Sequence, residues 1–503
     1  MSDRTSTATL KERTSEALSD DFLRKAVKFT TDRLRGKKME STEAFGRWEE
    51  WRERGRLIRA HTIEYLDYYL DQFTRNVEAL GGHVHFARDA EEARDIALGI
   101  AKQKQAQLTV KSKSMVSEEL HINDHFAAAG IECLETDLGE WIVQLADETP
   151  SHIIIPAIHK NRYQIKDLFE RQGDETLSED TQALAGFARR TLREKFQQAD
   201  IGMTGCNFAI AESGSIVIFS NEGNARMVTT LPKTHIVTMG MERILPSWDD
   251  LEVMANLLPR SATGQKLTVY MSALSGTRRE GEIDGPEELH IIVLDNGRSD
   301  QLGDPEFQEV LNCIRCGACL NVCPVYRQVG GHTYNSPYSG PIGAVLTPLL
   351  QQDDREAEEL AYASSLCGAC YEACPVKIPL HDMLVHLRQR KVEKGHTPKA
   401  EQAAFRLFGK AFSSPTTYKL GGKIARKLQR GTINDGSRMK WAIPMTGPLK
   451  GWIAHRHFPT PPARSFREQW AELEAEEPEH STDHQRPEQP GSQKINEGDR
   501  HGS

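Results

Sequence analysis

Between about residue 70 and residue 300, short apolar runs alternate with longer stretches whose apolar positions recur every three or four residues. The runs at 107–110, 131–135, 152–155, 208–211, 215–219, 235–239 and 289–294 read as strands. Helical periodicity covers 91–105 and 117–129, the latter ending at Gly130. Brief apolar strands separated by helices predict a largely parallel α/β sheet over 71–300. Upstream, residues 1–70 are charged and helix-prone. There Trp48 and Trp51 are interleaved with charges at helical spacing, as in an amphipathic helix packing two tryptophans on the next domain. Downstream, 301–390 reads as mainly helical, and 391–470 as basic and aromatic with Trp441, Trp452 and Trp470. The tail, 471–503, is rich in Glu, Pro, Gln and Ser and nearly free of apolar residues, so disorder is expected there.

Composition narrows the function classes. The chain has 503 residues, enough for two to four domains at about 150 residues each. Its 72 acidic against 63 basic residues give a net charge of −9, which argues against nucleic acid as a partner. No apolar run approaches the ~18 residues of a membrane span, and the first residues lack the apolar core of a signal peptide. A cytoplasmic protein is expected, with no transmembrane segment and any membrane association made through partners.

Candidate chemistry is concentrated in the cysteines, seven of which lie between 313 and 374. Cys313, Cys316, Cys319 and Cys323, followed by Pro324, have the C-x2-C-x2-C-x3-C-P spacing of bacterial ferredoxins. Cys367, Cys370 and Cys374, followed by Pro375, repeat it without the first cysteine, where Ser364 stands. Two-residue gaps let a loop wind round one face of a cubane with its sulfurs inward, and the fourth cysteine serves the other cluster. The rule assigns Cys313, Cys316, Cys319 and Cys374 to a first [4Fe–4S] cluster. Cys323, Cys367 and Cys370 fall to a second, which lacks one ligand. A [3Fe–4S] cluster, a four-iron cluster completed by Ser364 or another oxygen or nitrogen, and an open site compete there; a nominal four-iron cluster with a weak fourth ligand is favoured. Zinc closes at four ligands, usually in separated pairs, and does not explain four cysteines in so short a run. Disulfides are not expected without a secretory signal. Cys133 and Cys206 are expected to pack as small apolar side chains.

The α/β segment carries polar loops just beyond its strands, where ligands bind in open α/β sheets. Lys111, Ser112, Lys113 and Ser114 suit an anion such as a carboxylate or phosphate. Asn221, Glu222, Asn224 and Arg226 are costly to bury and suit a cleft wall, although turns and a structural Glu222–Arg226 pair account for them equally well. His159 reads more as a structural than a catalytic histidine. No G-x-G-x-x-G with a following acidic residue is present, so a dinucleotide-binding Rossmann site is not supported, and nothing resembles a Walker A loop.

Four blocks carry a resemblance: 152–159 (HIIIPAIH), 221–226 (NEGNAR), 294–299 (LDNGRS), and the cysteine run from Cys313 through 339–345 (SGPIGAV). Over about 20–470 the chain resembles the lactate-utilisation iron–sulfur protein B family. The resemblance implies a lactate-utilisation (LUD) domain similar in fold to sugar isomerases and CoA transferases (the NagB, RpiA and CoA-transferase type). A ferredoxin-like two-cluster domain and a family-specific C-terminal region follow. It also implies that the cysteine missing at Ser364 is missing throughout the family. The implied partners are a cysteine-rich iron–sulfur subunit and a smaller LUD-domain subunit, which together oxidise L-lactate to pyruvate. This member's implied part is electron transport, each cluster carrying one of lactate's two electrons at a time. Hydride abstraction from a 2-hydroxy acid normally calls for a flavin or nicotinamide, and neither fingerprint is present. A non-catalytic relay within an assembly is therefore expected. The alternatives are a stand-alone oxidoreductase, with Lys111, Lys113 and Arg226 on a carboxylate and Glu222 or His159 as proton acceptor, and a structural or redox-sensing subunit.

Overall fold

Ten strands organise the α/β segment: β1 (His83–Ala87), β2 (Leu108–Lys111), β3 (Glu132–Glu135), β4 (Ile201–Gly205), β5 (Phe208–Ile210), β6 (Ser215–Ser220), β7 (Thr234–Gly240), β8 (Ile244–Leu245), β9 (Tyr270–Ser275) and β10 (Glu288–Leu294). Six form one sheet in the order β1-β10-β7-β4-β2-β3, with every pairing parallel. Both its faces are covered, which is why β7 is buried along all seven residues and reads as a continuous apolar run. Alternate side chains serve opposite layers. Ile236 and Ile292 pack with Ala93 and Ala97 of the helix Ala90–Gln103. Val237 and Val293 pack with Phe73 and Val77 of the helix Leu66–Ala79. The remaining strands form a mixed sheet in the order β8-β5-β6-β9.

The computed structural model describes residues 6–173, 176–352, 354–429, 433–435, 438–440, 458–459 and 464–476. They belong to two compact units, 1–396 and 397–503. In the first, the N-terminal helices Asp21–Phe45 and Trp48–Glu64 do more than cap the sheet. Val27 and Ile63 share one core with Leu251 and Leu257 of the helix Trp248–Thr263 and with Phe307, Leu320 and Tyr326 of the cysteine-bearing segment. Trp48 and Trp51 pack, half-buried, against that core.

Two expectations need correction. Residues 152–155 form no strand. They are a loop stapled by His152, whose Nδ1 accepts the backbone N–H groups of Ile154 (3.0 Å) and Ile155 (3.3 Å). Burial pulls the His152 pKa down to about 4, so the ring is neutral and its Nε2–H reaches Asn321 Oδ1 at 3.1 Å. The helix expected over 117–129 is two short helices, Met115–Glu119 and Ile122–Ala128, broken at His121 with φ of 49°.

In the cysteine-bearing segment, two five-residue helices, Ala318–Val322 and Ala369–Ala373, repeat the same local geometry. Each is preceded by a left-handed glycine, Gly317 (φ 71°) and Gly368 (φ 77°). Two residues before each glycine stands another left-handed residue, Arg315 (φ 59°) or Leu366 (φ 54°). The double reversal turns the chain tightly enough to bring cysteines with two residues between them, Cys313 and Cys316 or Cys367 and Cys370, to one side.

In the second unit the helices Lys399–Phe412 and Pro415–Gln429 meet through Phe408, Phe412 and Tyr418. Trp470 lies on the helix Phe466–Glu476, which takes in the first residues of the segment expected to be disordered. Trp441, Trp452 and the rest of that tail, 477–503, lie outside the described residues.

Candidate iron–sulfur centre and adjoining cavity

The thiols of Cys313, Cys316, Cys319 and Cys374 are buried and close enough to repel one another once ionised. Burial first, then Cys374, pushes the Cys316 thiol up to about 12. Cys319 is raised well above its ordinary value by burial and then by Cys316, Cys313, Cys370 and Cys374. A second group comprises Cys323, Cys367 and Cys370, with Cys370 pushed up to about 11 by burial and by Cys323. Cys367 differs from the rest in being exposed. Its thiol is lowered by the Ala369 backbone N–H and then by the Ser365 hydroxyl. Backbone N–H groups point at sulfur from Arg315 to Cys313 (3.4 Å), Tyr326 to Cys323 (3.5 Å) and Ile378 to Cys374 (3.4 Å). Converging thiols with N–H donors aimed at them fit an iron–sulfur cluster. Ser364 is half-buried, and its Oγ accepts the Leu366 N–H at 3.1 Å. Ser365, which spacing alone did not single out, is the hydroxyl that reaches a thiol.

Cations surround the four-thiol group. Lys38 donates to the Ala373 carbonyl, Arg52 to the Cys374 carbonyl at 2.9 Å, and Arg243 to the Cys313 carbonyl at 2.9 Å. Arg59 is wholly buried and bonds the Ile244 and Leu311 carbonyls at 2.8 and 3.1 Å; burial and Arg243 pull its pKa down to about 9. Arg315, between Cys313 and Cys316, pairs with Glu242 at 3.2 Å and stacks over Tyr338 at 4.6 Å. Glu242 also holds Arg298 at 2.8 Å, and Arg298 meets Glu119 at 2.8 Å. Burial opposes ionisation of Glu242, but Arg298, Arg315 and Arg243 overcome it and hold its pKa at about 2. The network ties the ends of β7 and β10 to the cysteine loop. Its sequence signal was charge placed immediately after an apolar strand.

Beside this network a cavity of about 220 Å³ opens at the carboxyl edge of the parallel sheet. Arg315, Arg243, Lys113, Asn207, Glu222 and Asn224 are among the residues that line it. Lys113 Nζ is buried without a hydrogen-bond partner, and its nearest carboxylate is Glu140 at 3.5 Å. Crowding by protein atoms, then Asp137, raises the Glu222 carboxyl above the usual range, although the residue as a whole is exposed. Cys206 also lines the cavity, its thiol pushed up to about 12 by burial.

The other singled-out side chains lie elsewhere. Lys111 is fully buried, bound to Glu118 at 2.8 Å and Glu135 at 2.6 Å, and contributes nothing to the cavity. Arg226 is exposed on the helix Asn224–Thr230. His159 stands in a separate cleft, 2.6 Å from Glu148. Of the side chains singled out in the α/β loops, Ser112, Lys113, Ser114, Asn221, Glu222 and Asn224 share the cavity, whereas Lys111, Arg226 and His159 do not.

Fold and thiols together define an α/β domain joined to a ferredoxin-type iron–sulfur segment. The first matches the LUD domain over 70–294. The second matches the 4Fe-4S dicluster domain over 309–378, and 386–475 matches the C-terminal region of lactate utilisation protein B. The chain belongs to the lactate utilisation protein B family and is an iron–sulfur protein of lactate utilisation. Similar proteins bearing that name include one from Shouchella clausii, 50% identical over 95% of this chain and 100% of its own. One from Bacillus licheniformis is 52% identical over 93% and 97%, and one from Bacillus subtilis 51% over 94% and 98%. A solved DUF162 family protein from Deinococcus radiodurans matches 46% of this chain and 98% of its own at 18% identity. Its TM-score of 0.27 is too loose a likeness to carry the fold. Among the described residues no helix is long and apolar enough to cross a membrane.

Proposed function

We propose that this chain is the electron-transfer subunit of an assembly that oxidises L-lactate to pyruvate. Cys313, Cys316, Cys319 and Cys374 hold one [4Fe–4S] cluster, and Cys323, Cys367 and Cys370 hold a second with a non-cysteine or open fourth position. The observation that carries the reading is Arg315. It belongs at once to the ligand loop of the first cluster and to the wall of the cavity. Electrons enter at the buried four-thiol site and leave through the three-thiol site, where exposed Cys367 faces the partners. Those partners are a cysteine-rich iron–sulfur subunit and a smaller LUD-domain subunit. A second reading, in which the cavity itself takes a small carboxylate, is favoured by Lys113, whose Nζ is buried without a hydrogen bond in a cavity that Arg243 and Arg315 also line.

Anaerobic purification with iron counting and electron paramagnetic resonance tests both readings. About seven or eight irons per chain are expected, as is loss of one signal set in Cys374→Ser and of the other in Cys370→Ser. A single cluster, or the same signal lost in both variants, rules out crossed ligation. Lactate should reduce the clusters only when partners are present. Reduction by the isolated chain overturns the relay and supports the second reading.

A further inference from the structure

Away from the thiols, the described residues hold another convergence of metal-binding side chains. Glu148, His159 and His332 place their ligand atoms within 4.8 Å of one another. Glu148 follows the helix Leu138–Leu145, and His159 lies at the end of the loop stapled by His152. His332 opens the 3-10 turn His332–Tyr334 of the iron–sulfur segment. Three stretches far apart in sequence are thus drawn to one point.

Each side chain is held as a ligand is held. His332 donates Nε2–H to the Thr149 carbonyl at 2.7 Å, which leaves Nδ1 as its free ligand atom. A histidine ligand generally fixes its second nitrogen on a carbonyl in this way. Glu148 gives Oε1 to the Lys160 ammonium and keeps Oε2, which meets His159 Nε2 at 2.6 Å. His159 is 8% exposed at its side chain, and its Nδ1 is buried without a partner. The two imidazoles lie edge to face with centroids 4.5 Å apart. All three residues line a cleft of about 490 Å³, distinct from the cavity beside Arg315.

We propose that Glu148, His159 and His332 bind a divalent first-row transition metal, zinc foremost, with a coordination position open to the cleft. Two imidazoles and one carboxylate oxygen are the donor set of three-ligand zinc sites that leave the fourth position to solvent or substrate. Calcium and magnesium call for oxygen ligands, and copper(I) for sulfur. The metal takes the place of the proton shared between Glu148 and His159, with Lys160 holding the other carboxylate oxygen. Once bound, it cross-ties the 148–159 loop to the iron–sulfur segment.

Iron-replete protein is to be titrated anaerobically with zinc alone, then analysed for bound metal and by zinc X-ray absorption. The expected result is about one equivalent of zinc with only nitrogen and oxygen in its shell, iron content unchanged. Affinity should fall about 100-fold or more in His332→Gln and in Glu148→Gln, and not at all in His125→Gln. Failure of the wild type to take up zinc, a sulfur shell at about 2.3 Å that assigns the zinc to cysteines, or full uptake by both variants overturns the proposal. If His332→Gln loses iron, Glu148→Gln and the wild-type absorption spectrum still decide.

Discussion

Lys38 illustrates how much single charges matter here. It projects from the helix Asp21–Phe45, yet its ammonium meets the Ala373 carbonyl next to Cys374. Burial pulls its pKa down while Cys316 and Cys374 push it up. A cation so placed stabilises the added negative charge of a reduced cluster. Lys38→Met should therefore lower the midpoint potential of the cluster proposed at Cys313, Cys316, Cys319 and Cys374 by about 60 mV, the one-electron equivalent of roughly 1.4 kcal/mol, leaving the proposed second cluster unmoved in a redox titration. Glu242 is a second such residue. Its pKa is depressed from 4.5 to about 2, so the stability it contributes is complete above about pH 4.5 and is lost as the pH falls through about 2. Glu242→Gln leaves Arg298 and Arg315 short of a buried partner and should cost about 3–5 kcal/mol at neutral pH. Denaturant unfolding of the two proteins should show that gap narrowing below about pH 4.5. The sequence offered cysteine spacing for the cluster ligands but nothing for Lys38, which lies more than 270 positions upstream of the nearest of them. Nor did spacing distinguish Lys113 in the cavity from Lys111 in its ion pairs. Alternation places the two on the same strand face, but β2 ends between them.

At the scale of elements, buried strands were legible wherever an apolar run had no competing use, as at β6, β7 and β10. The run at 152–155 is equally apolar, but it is buried by docking rather than by pairing. Ser151 gives its carbonyl to the Tyr326 hydroxyl at 2.7 Å and its Oγ to the Gly331 N–H at 3.1 Å. Its imidazole neighbour supplies the turn that a hairpin or crossover would otherwise make. Strands β1 and β4 went unread because His83, His85, Gly202 and Gly205 dilute their apolar pattern. Gly331 measures how close the docking is: a Cβ there would lie 1.9 Å from the Ser151 carbonyl oxygen. Backbone cannot yield as a side chain can, so Gly331→Ala should destabilise the protein by about 1–3 kcal/mol. Thermal unfolding and iron retention through gel filtration should both register the loss.

For the whole molecule, texture distinguished 1–70, 71–300 and 301–390, whereas contacts join residues 1–396 into one unit. The reason is a shared core that no local pattern reveals: Val27, Leu257 and Leu320 come from three of those stretches and bury one another. An iron–sulfur segment built into a common core cannot drift relative to the α/β sheet, and fixed separation is what the proposed electron hops would require. The placement of Arg315 has a thermodynamic corollary. An anion resting against that guanidinium would favour the oxidised form of a cluster held at Cys313 and Cys316 and lower its potential. By reciprocity, reduction of the cluster must loosen the anion by the same factor. Arrival of an electron and release of a negatively charged product would then be two faces of one coupled equilibrium, and occupancy of the cavity would itself report the redox state.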